Sequence, residues 1–154
     1  MKRLYSILAA SLLGLGSVTP AIALGSAEIS QIVSAVAVPK DHNAPFARYH
    51  IRIQVAGNPV SQLKMKTPSA LQIGQVAAFA QGQTLPVQST TLPSGETELT
   101  FAQAVPPGAE LEVQLLNVRH ATNLNRIWQF PIAVSASPGA ADQSIGIARI
   151  HTFW

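Results

Sequence analysis

The sequence contains no cysteine, and its aromatic and charged residues are few, at 6% and 11% of the chain. Without cysteine the protein forms no disulfide, holds no metal through thiolates and uses no thiol as a nucleophile. Its stability therefore has to come from an apolar core. Of two methionines, only Met65 lies beyond the N-terminal segment, which argues against a copper(I) site built from thioethers.

Clusters of positive charge are also missing. Ten lysines and arginines face seven acidic residues, but Lys2 and Arg3 lie in a segment that we expect to be removed, which leaves eight. These eight cations are dispersed along the chain, whereas a nucleic-acid interface needs cations gathered on one face. We therefore predict no nucleic-acid partner.

The N-terminus has the organisation of a secretory signal. Lys2 and Arg3 precede an apolar run from Leu4 to Leu15, and Ala21-Ile22-Ala23 supplies the small-x-small pattern that signal peptidase cleaves. We predict a cleavable signal peptide over residues 1–23 and a single domain over residues 24–154. A spanning helix needs roughly 20 predominantly apolar residues. No other stretch approaches that length, so no transmembrane segment is expected after cleavage.

The spacing of apolar residues predicts β-strands. Tyr49–Val55 and Glu110–Leu115 alternate apolar and polar residues, as a strand does when one face is in a core and the other in water. Trp128–Val134 alternates in the same way, and Pro131 within it predicts an edge position, because proline cannot donate to a ladder. Weaker strand patterns cover residues 29–38, 63–66, 76–80, 85–90 and 97–101. No comparable window has a helical period.

Turn-forming residues separate these segments. Four turns combine a residue that presets φ with one that tolerates positive φ: Gly57-Asn58-Pro59, Leu92-Pro93-Ser94-Gly95, Pro106-Pro107-Gly108 and Ser137-Pro138-Gly139. Short strands joined by such turns at intervals of about ten residues are typical of sandwiches. We predict an all-β fold, a single immunoglobulin-like β-sandwich of about seven to nine short strands.

The C-terminal segment SIGIARIHTFW is interpreted as the closing strand of this sandwich. Gly146 within it indicates a bulge or a close backbone approach. Arg149 is either a solvated strand residue or a bidentate partner for a carboxylate, the candidates being Glu110, Glu112 and Asp142. The terminal aromatic pair also fits a small outer-membrane barrel, but that class needs longer strands and aromatic girdles.

No catalytic constellation can be assembled from the sequence. No serine lies in a Gly-x-Ser-x-Gly context, and neither a dinucleotide fingerprint nor a phosphate loop is present. The acidic pairs Glu96/Glu98 and Glu110/Glu112 have strand spacing, so each pair shares a face that we expect to be solvated. We predict no catalytic residue, no cofactor and no enzymatic activity.

Four histidines, His42, His50, His120 and His151, are the candidates for a metal site. Copper or zinc sites need two or three converging imidazoles, often with a carboxylate. His42 and His50 flank one loop-to-strand transition, while the other two lie far away in the sequence. We interpret all four as scattered histidines and predict no metal site. A periplasmic copper-type sandwich is the alternative.

The segment from Val105 to the C-terminus resembles the cyanobacterial secreted proteins grouped as domain of unknown function 2808. The motifs that carry the resemblance are Pro107-Gly108, the aromatic strand with Trp128 and Phe130, the turn at Pro138-Gly139, and Ile145-Gly146 with Arg149-Ile150. The resemblance implies a structural role for these residues, a sandwich fold and a secreted, cyanobacterial origin. That family has no established activity.

Together these patterns predict an exported, non-catalytic sandwich that acts as a binding or envelope-associated structural module. Its partner would be an unknown protein or envelope component. The expected location is the periplasm, the thylakoid lumen or the extracellular space. The metal-binding sandwich and the small outer-membrane barrel remain the alternative functions.

Overall fold

The computed structural model describes residues 28–41, 43–120 and 127–153. The predicted signal peptide over residues 1–23 lies outside them, as do His42 and Trp154. The described residues form the strands β1 (Gln31–Val38), β2 (Ala47–Gln54), β3 (Val60–Lys66), β4 (Leu71–Gln72), β5 (Gln75–Ala80), β6 (Gln83–Leu85), β7 (Val87–Thr91), β8 (Glu96–Val105), β9 (Glu110–His120), β10 (Ile127–Ser135) and β11 (Gln143–His151). None of them belongs to a helix long and apolar enough to cross a membrane.

These strands form two antiparallel sheets that pack face to face. The first sheet has the order β1-β2-β9-β5-β6, with β4 also paired to β9, and the second has the order β11-β10-β3-β8-β7. The core between them is apolar and contains the largest buried side chains, among them Trp128, Tyr49, Phe130, Ile51 and Ile53. The predicted all-β, immunoglobulin-like sandwich is confirmed.

Alternation along the strands determines which side chains enter this core. In β2 the side chains of Tyr49, Ile51 and Ile53 are buried, while Arg48 and Arg52 are exposed on the other face. In β10 the buried residues are again every second one: Trp128, Phe130, Ile132 and Val134. The period of two read from the sequence therefore corresponds to the inner and outer faces of the sheets.

The structure has more strands than the seven to nine expected, because two of them are too short to leave a periodic signal. These are β4, with two residues, and β6, with three. The single strand expected at residues 85–90 is in fact divided at Pro86. Leu85 pairs with Ala78 in the first sheet, and Val87 pairs with Phe101 in the second. A proline between them breaks the ladder because it has no N–H to donate.

The expected edge position of Trp128–Val134 is wrong for the strand as a whole. Strand β10 is an interior strand, bonded to β11 on one side and to β3 on the other. The pairing with β3, however, runs only from Ile132 to Ser135. Pro131 lies just before this part, where β10 pairs with β11, so the proline occupies a local edge within an interior strand.

Gly146 lies where the free sides of the two sheets meet. Its φ is +118°, a conformation that side chains other than hydrogen rarely allow, and it sits next to a register shift between β10 and β11. A Cβ at this position would be 3.8 Å from Cδ1 of Ile32 on β1. Strands β1 and β11 are in contact, so the outer strands of the two sheets cover each other on this side.

Two of the four turns named above lie just before β9 and just after β10. At Pro107-Gly108 the amide of Gly108 donates to the carbonyl oxygen of Val55 over 2.8 Å, which ties the β8–β9 turn to the end of β2. At Pro138-Gly139, between β10 and β11, the glycine has a φ of +81°. The first turn carries the chain from the second sheet to the first. The second turn joins neighbouring antiparallel strands of the second sheet.

Replacing Ile150 by alanine tests whether β11 is part of the core. Ile150 is fully buried and Ile147 is 44% exposed on the same strand. We expect Ile150→Ala to lower the free energy of unfolding by about 2–5 kcal/mol, and Ile147→Ala to change it by no more than about 0.5 kcal/mol. Urea denaturation at one pH measures both. Equal effects of the two substitutions would contradict a closing strand packed on the core.

Candidate functional site

A groove opens in the second sheet where β3 separates from β10. Its volume is about 540 Å³, within the range of pockets that hold small ligands or side chains of a partner. One wall is the end of β3 and the residues after it, another is the β7–β8 turn, and the third is the first half of β10. The lining residues are Lys66, Thr67, Pro68, Ser69, Ser94, Gly95, Ile127, Trp128, Gln129 and Pro131.

The groove exists because β3 stays with β8 and leaves β10. Lys66 still pairs with Glu96 of β8, and the amide of Thr67 donates to the carbonyl oxygen of Gly95 over 3.1 Å. Pro68 follows, and it has no N–H with which to extend a ladder. Strand β3 therefore pairs with β10 only over Ile132–Ser135, and the groove lies beside Ile127–Pro131.

Exposed apolar side chains continue from the groove onto the outer face of β10 and β11. Ile127 is 48% exposed and Ile147 is 44% exposed. Pro131 pairs with Ile147, and Gln129 pairs with Arg149. We call Ile127, Gln129, Pro131, Ile147 and Arg149 the β10 surface. Its one charged side chain is a cation, and a second cation, Lys66, lines the adjoining groove.

None of the ion pairs between described residues joins Arg149 to the three carboxylates suggested for it. Glu112 interacts with His50 and Arg52, and Asp142 is 2.8 Å from the Nζ of Lys64. Glu110 begins β9 in the first sheet. Arg149 itself is exposed on β11, where it is available to a partner.

A cluster of aromatic side chains forms the floor beneath the groove. The Trp128 indole stacks on the His120 ring with centroids 4.9 Å apart, and its Nε1 donates to Oγ1 of Thr152 over 3.3 Å. Nε2 of His120 is 2.7 Å from the hydroxyl of Tyr49. The Tyr49 ring meets Phe130 edge to face, an arrangement that aromatic quadrupoles favour. The cluster thus connects β2, β9 and β10 with the residue that follows β11.

Burial raises the pKa of Tyr49, because the charged phenolate would lose its hydration inside the core. The hydroxyl therefore stays protonated and remains a hydrogen-bonding group for His120. Tyr49 and His120 belong to the first sheet and Trp128 to the second, so the stacking of His120 on Trp128 crosses the sandwich. This stacking orients Trp128, which both lines the groove and belongs to the core.

The structure separates the histidines that the sequence offered as metal ligands. His50 lies on the outer face of the first sheet, His120 belongs to the aromatic cluster, His151 is exposed on β11, and His42 is outside the described residues. Within the described ranges, no three histidine, aspartate or glutamate side chains gather as a metal site requires. That none of the histidines binds metal stays a prediction.

His50 belongs instead to a polar cluster around Glu112. Its Nδ1 is 2.8 Å from Oε1 of Glu112, and Gln114 donates an Nε2–H to the same oxygen over 2.6 Å. Nε of Arg52 is 3.4 Å from Oε2. Partial burial by itself would raise the pKa of Glu112, but the hydrogen bonds from His50 and Gln114 and the charges of His50 and Arg52 outweigh it. The pKa of Glu112 is therefore lowered.

Because the pKa of Glu112 is lower in the folded than in the unfolded protein, its ionised form favours folding. This stabilisation is present above the unfolded pKa, about 4.5, and is lost as the pH falls through the folded pKa. We expect Glu112→Gln to cost stability at neutral pH and to cost less as the pH falls below about 4. Thermal unfolding across this range measures the effect.

The matched control is Glu110→Gln, an exposed position two residues earlier on the same face. It should leave the pH profile of unfolding as in the unsubstituted protein. A constant difference between Glu112→Gln and the unsubstituted protein at every pH would contradict the interpretation.

Sequence reasoning missed the groove, although two signals for it were present. Pro131 interrupts an otherwise regular strand, and Thr67-Pro68 ends β3. Each marks a backbone position that cannot donate to a ladder. The two prolines indicate a groove only if β3 and β10 are neighbours in the sheet. The sequence does not reveal this, because the two strands are far apart along the chain.

Several solved structures share the fold at very low sequence identity. The N-terminal domain of a Streptococcus gordonii adhesin aligns with a TM-score of 0.52 at 7% identity, over 82% of this chain and 32% of that chain. The chain therefore spans about a third of that adhesin chain. A collagen-binding domain from a Staphylococcus aureus adhesin aligns with a TM-score of 0.48 at 8% identity, over 82% and 99% of the two chains. At these identities the likeness shows the fold alone.

A non-cellulosomal cohesin from the archaeon Archaeoglobus fulgidus aligns with a TM-score of 0.49 at 11% identity, over 82% of this chain and 93% of the cohesin. No curated protein matches the sequence. Residues 26–152 match a protein family described as "Protein of unknown function (DUF2808)", which agrees with the resemblance seen in the C-terminal motifs and extends it over the whole described region.

Proposed function

The chain belongs to the DUF2808 family, a family of unknown function, and we propose that it is an exported, non-catalytic binding module. Its ligand is an extended segment of a protein partner, which adds to β10 beside the groove. The observation that carries the proposal is the groove along the first half of β10, where β3 no longer pairs with β10.

A free strand edge offers its N–H and C=O groups to an incoming strand. In strand addition these backbone bonds supply affinity, while pockets for alternate side chains supply specificity. Ile127–Pro131 has the length of a short strand, and the groove beside it has room for the side chains on one face of an added segment. The hydroxyl groups of Thr67, Ser69 and Ser94 line the same groove and can bond polar groups of the ligand.

The charges around this site favour an acidic segment. Lys66 lines the groove and Arg149 lies on the β10 surface, while neither the groove lining nor the β10 surface includes a carboxylate. Glu96, paired across from Lys66 on β8, offsets part of this positive charge. Complementary charge speeds encounter and fixes register more than it adds affinity. The expected ligand therefore combines apolar residues for Ile127 and Ile147 with at least one carboxylate.

The composition of the groove supports the non-catalytic part of the proposal. Hydroxyl groups of Thr67, Ser69 and Ser94 line it, but among the described residues no histidine or carboxylate lines the groove beside them to act as a general base. Export rests on the leader over residues 1–23, and the mature domain would then cover residues 24–154. The periplasm, the thylakoid lumen and the extracellular space all satisfy this proposal.

The test uses a capped peptide of alternating valine and glutamate, compared with the same peptide carrying lysine in place of glutamate. We expect the acidic peptide to shift the backbone amide resonances of residues 127–130 and of Lys66, Thr67 and Ser69, and the basic peptide to bind at least about tenfold more weakly. Ile127→Asp should weaken binding of the acidic peptide by about tenfold or more, because it replaces an apolar contact by a like charge.

Val33→Asp is the matched control, since Val33 is 59% exposed on β1 in the first sheet. It should leave the affinity for the acidic peptide within about twofold. Shifts centred on another strand, or equal losses in the two variants, would overturn the site. Far-ultraviolet circular dichroism establishes that both variants keep the fold.

The proposal also predicts that the protein binds no stoichiometric copper or zinc with a dissociation constant below micromolar. The separation of His50, His120 and His151 supports this prediction, because tight sites need converging ligands. Calorimetric titration of the purified protein with each metal measures it. Binding of one equivalent that is lost in His50→Ala would favour the copper-type sandwich instead.

A further inference from the structure

A second concave site lies on the first sheet, away from β10. Its volume is about 280 Å³, and it is lined by Phe46, Gln72, Ile73, Gly74, Asn117 and Arg119. The residues come from the start of β2, from β4 and the link to β5, and from the end of β9. The pairing of Ala47 with Val118 and of Gln72 with Arg119 brings these segments together.

Two residues of this site have backbone conformations that are costly outside glycine. Phe46 has a φ of +62° and Asn117 a φ of +53°. Asparagine tolerates this region, but for a bulky residue such as phenylalanine it is an outlier. Such strain is concentrated at functional sites. Phe46 is 58% exposed.

The Phe46 ring supports the guanidinium of Arg119. The Cζ atom of Arg119 lies 5.6 Å from the ring centroid, within the range of a cation–π contact. A guanidinium carries its N–H donors at the edge of a plane, in the fork geometry that matches an oxyanion. Arg119 takes part in none of the ion pairs formed between the described residues.

The remaining lining residues are suited to the same kind of ligand. Gln72 and Asn117 bring side-chain amides, which carry two N–H donors each, and no carboxylate lines the site. A Cβ on Gly74 would lie 2.8 Å from the Cβ of Asn117, closer than real side chains approach. The absence of a side chain at residue 74 therefore allows Asn117 to sit where it lines the cavity.

We propose that Phe46, Gln72, Asn117 and Arg119 form a binding site for an oxyanion, either a carboxylate or a sulfate or phosphate ester carried by a larger molecule. The site holds one delocalised cation and two amides, a donor set that complements a negative group with several acceptor oxygens. Its volume is below that of pockets that enclose whole drug-sized ligands. The anionic group enters the cavity, and the rest of the ligand remains in solvent.

The test is a titration of the isotopically labelled protein with sodium acetate, sodium sulfate and sodium chloride at matched ionic strength. We expect saturable shifts of the backbone amides of Gly74 and Asn117 with at least one of the two oxyanions, and none with chloride. Saturation by acetate assigns the site to carboxylates, and saturation by sulfate assigns it to sulfate or phosphate esters. Lack of saturation by both anions overturns the proposal.

Two variants separate a fork-shaped site from general attraction to positive charge. Arg119→Lys keeps the charge but loses the fork, and should weaken binding by at least about tenfold. Arg52→Lys makes the same change at an exposed arginine farther along β2 that does not line the site and should leave binding unchanged. Equal affinities in the unsubstituted protein and in Arg119→Lys would contradict the assignment even if the anions bind.

Discussion

Strand β3 cannot follow both of its neighbours, and this constraint shapes the second sheet. It pairs with β8 as far as Lys66, but with β10 only as far as Met65. Beyond that point the Thr67 amide bonds to Gly95 on the β8 side, and Pro68 ends the ladder. The twist of a sheet rotates neighbouring strands relative to one another, so a strand that keeps one partner past its end moves away from the other. The groove is the space between them.

An opened sheet of this kind needs support from below, since no disulfide is available to this chain. The contact that crosses the sandwich at this end runs from Tyr49 through His120 to Trp128. The hydrogen bond between Tyr49 and His120 joins two strands of the first sheet, and the stacking of His120 on Trp128 crosses to the second sheet. The first half of β10 therefore rests on a contact that links the two sheets.

The sequence predicted the fold class well because the fold depends on a local signal. Alternation in Tyr49–Val55, Glu110–Leu115 and Trp128–Val134 needs no knowledge of which strand lies beside which. Strand order depends on contacts between distant parts of the chain, which alternation does not report. For this reason Pro131 suggested an edge strand although β10 is interior. The division at Pro86 was missed for the same reason, since the residues on either side look alike in the sequence and pair with different sheets.

The candidate sites could be predicted less well than the fold. His120 was noted as a possible ligand, yet its partners Tyr49 and Trp128 come from strands far away in the chain. Phe46 and Arg119 carried no signal, because their contact depends on the register between β2 and β9. Among the motifs that carried the family resemblance, Trp128 lines the groove and Arg149 lies on the β10 surface, while the turns at Pro107-Gly108 and Pro138-Gly139 belong to the scaffold.

The chain crosses from the first sheet to the second at Pro86, and this crossing affects how readily copies of the protein can join edge to edge at high concentration. Sandwiches with open sheets are prone to polymerise edge to edge, because each outer strand can template the next molecule. Here β6 and β7 are outer strands of different sheets and are joined directly through Pro86, while β1 and β11 cover each other around Gly146. Both flanks are thereby poor templates for fibre growth.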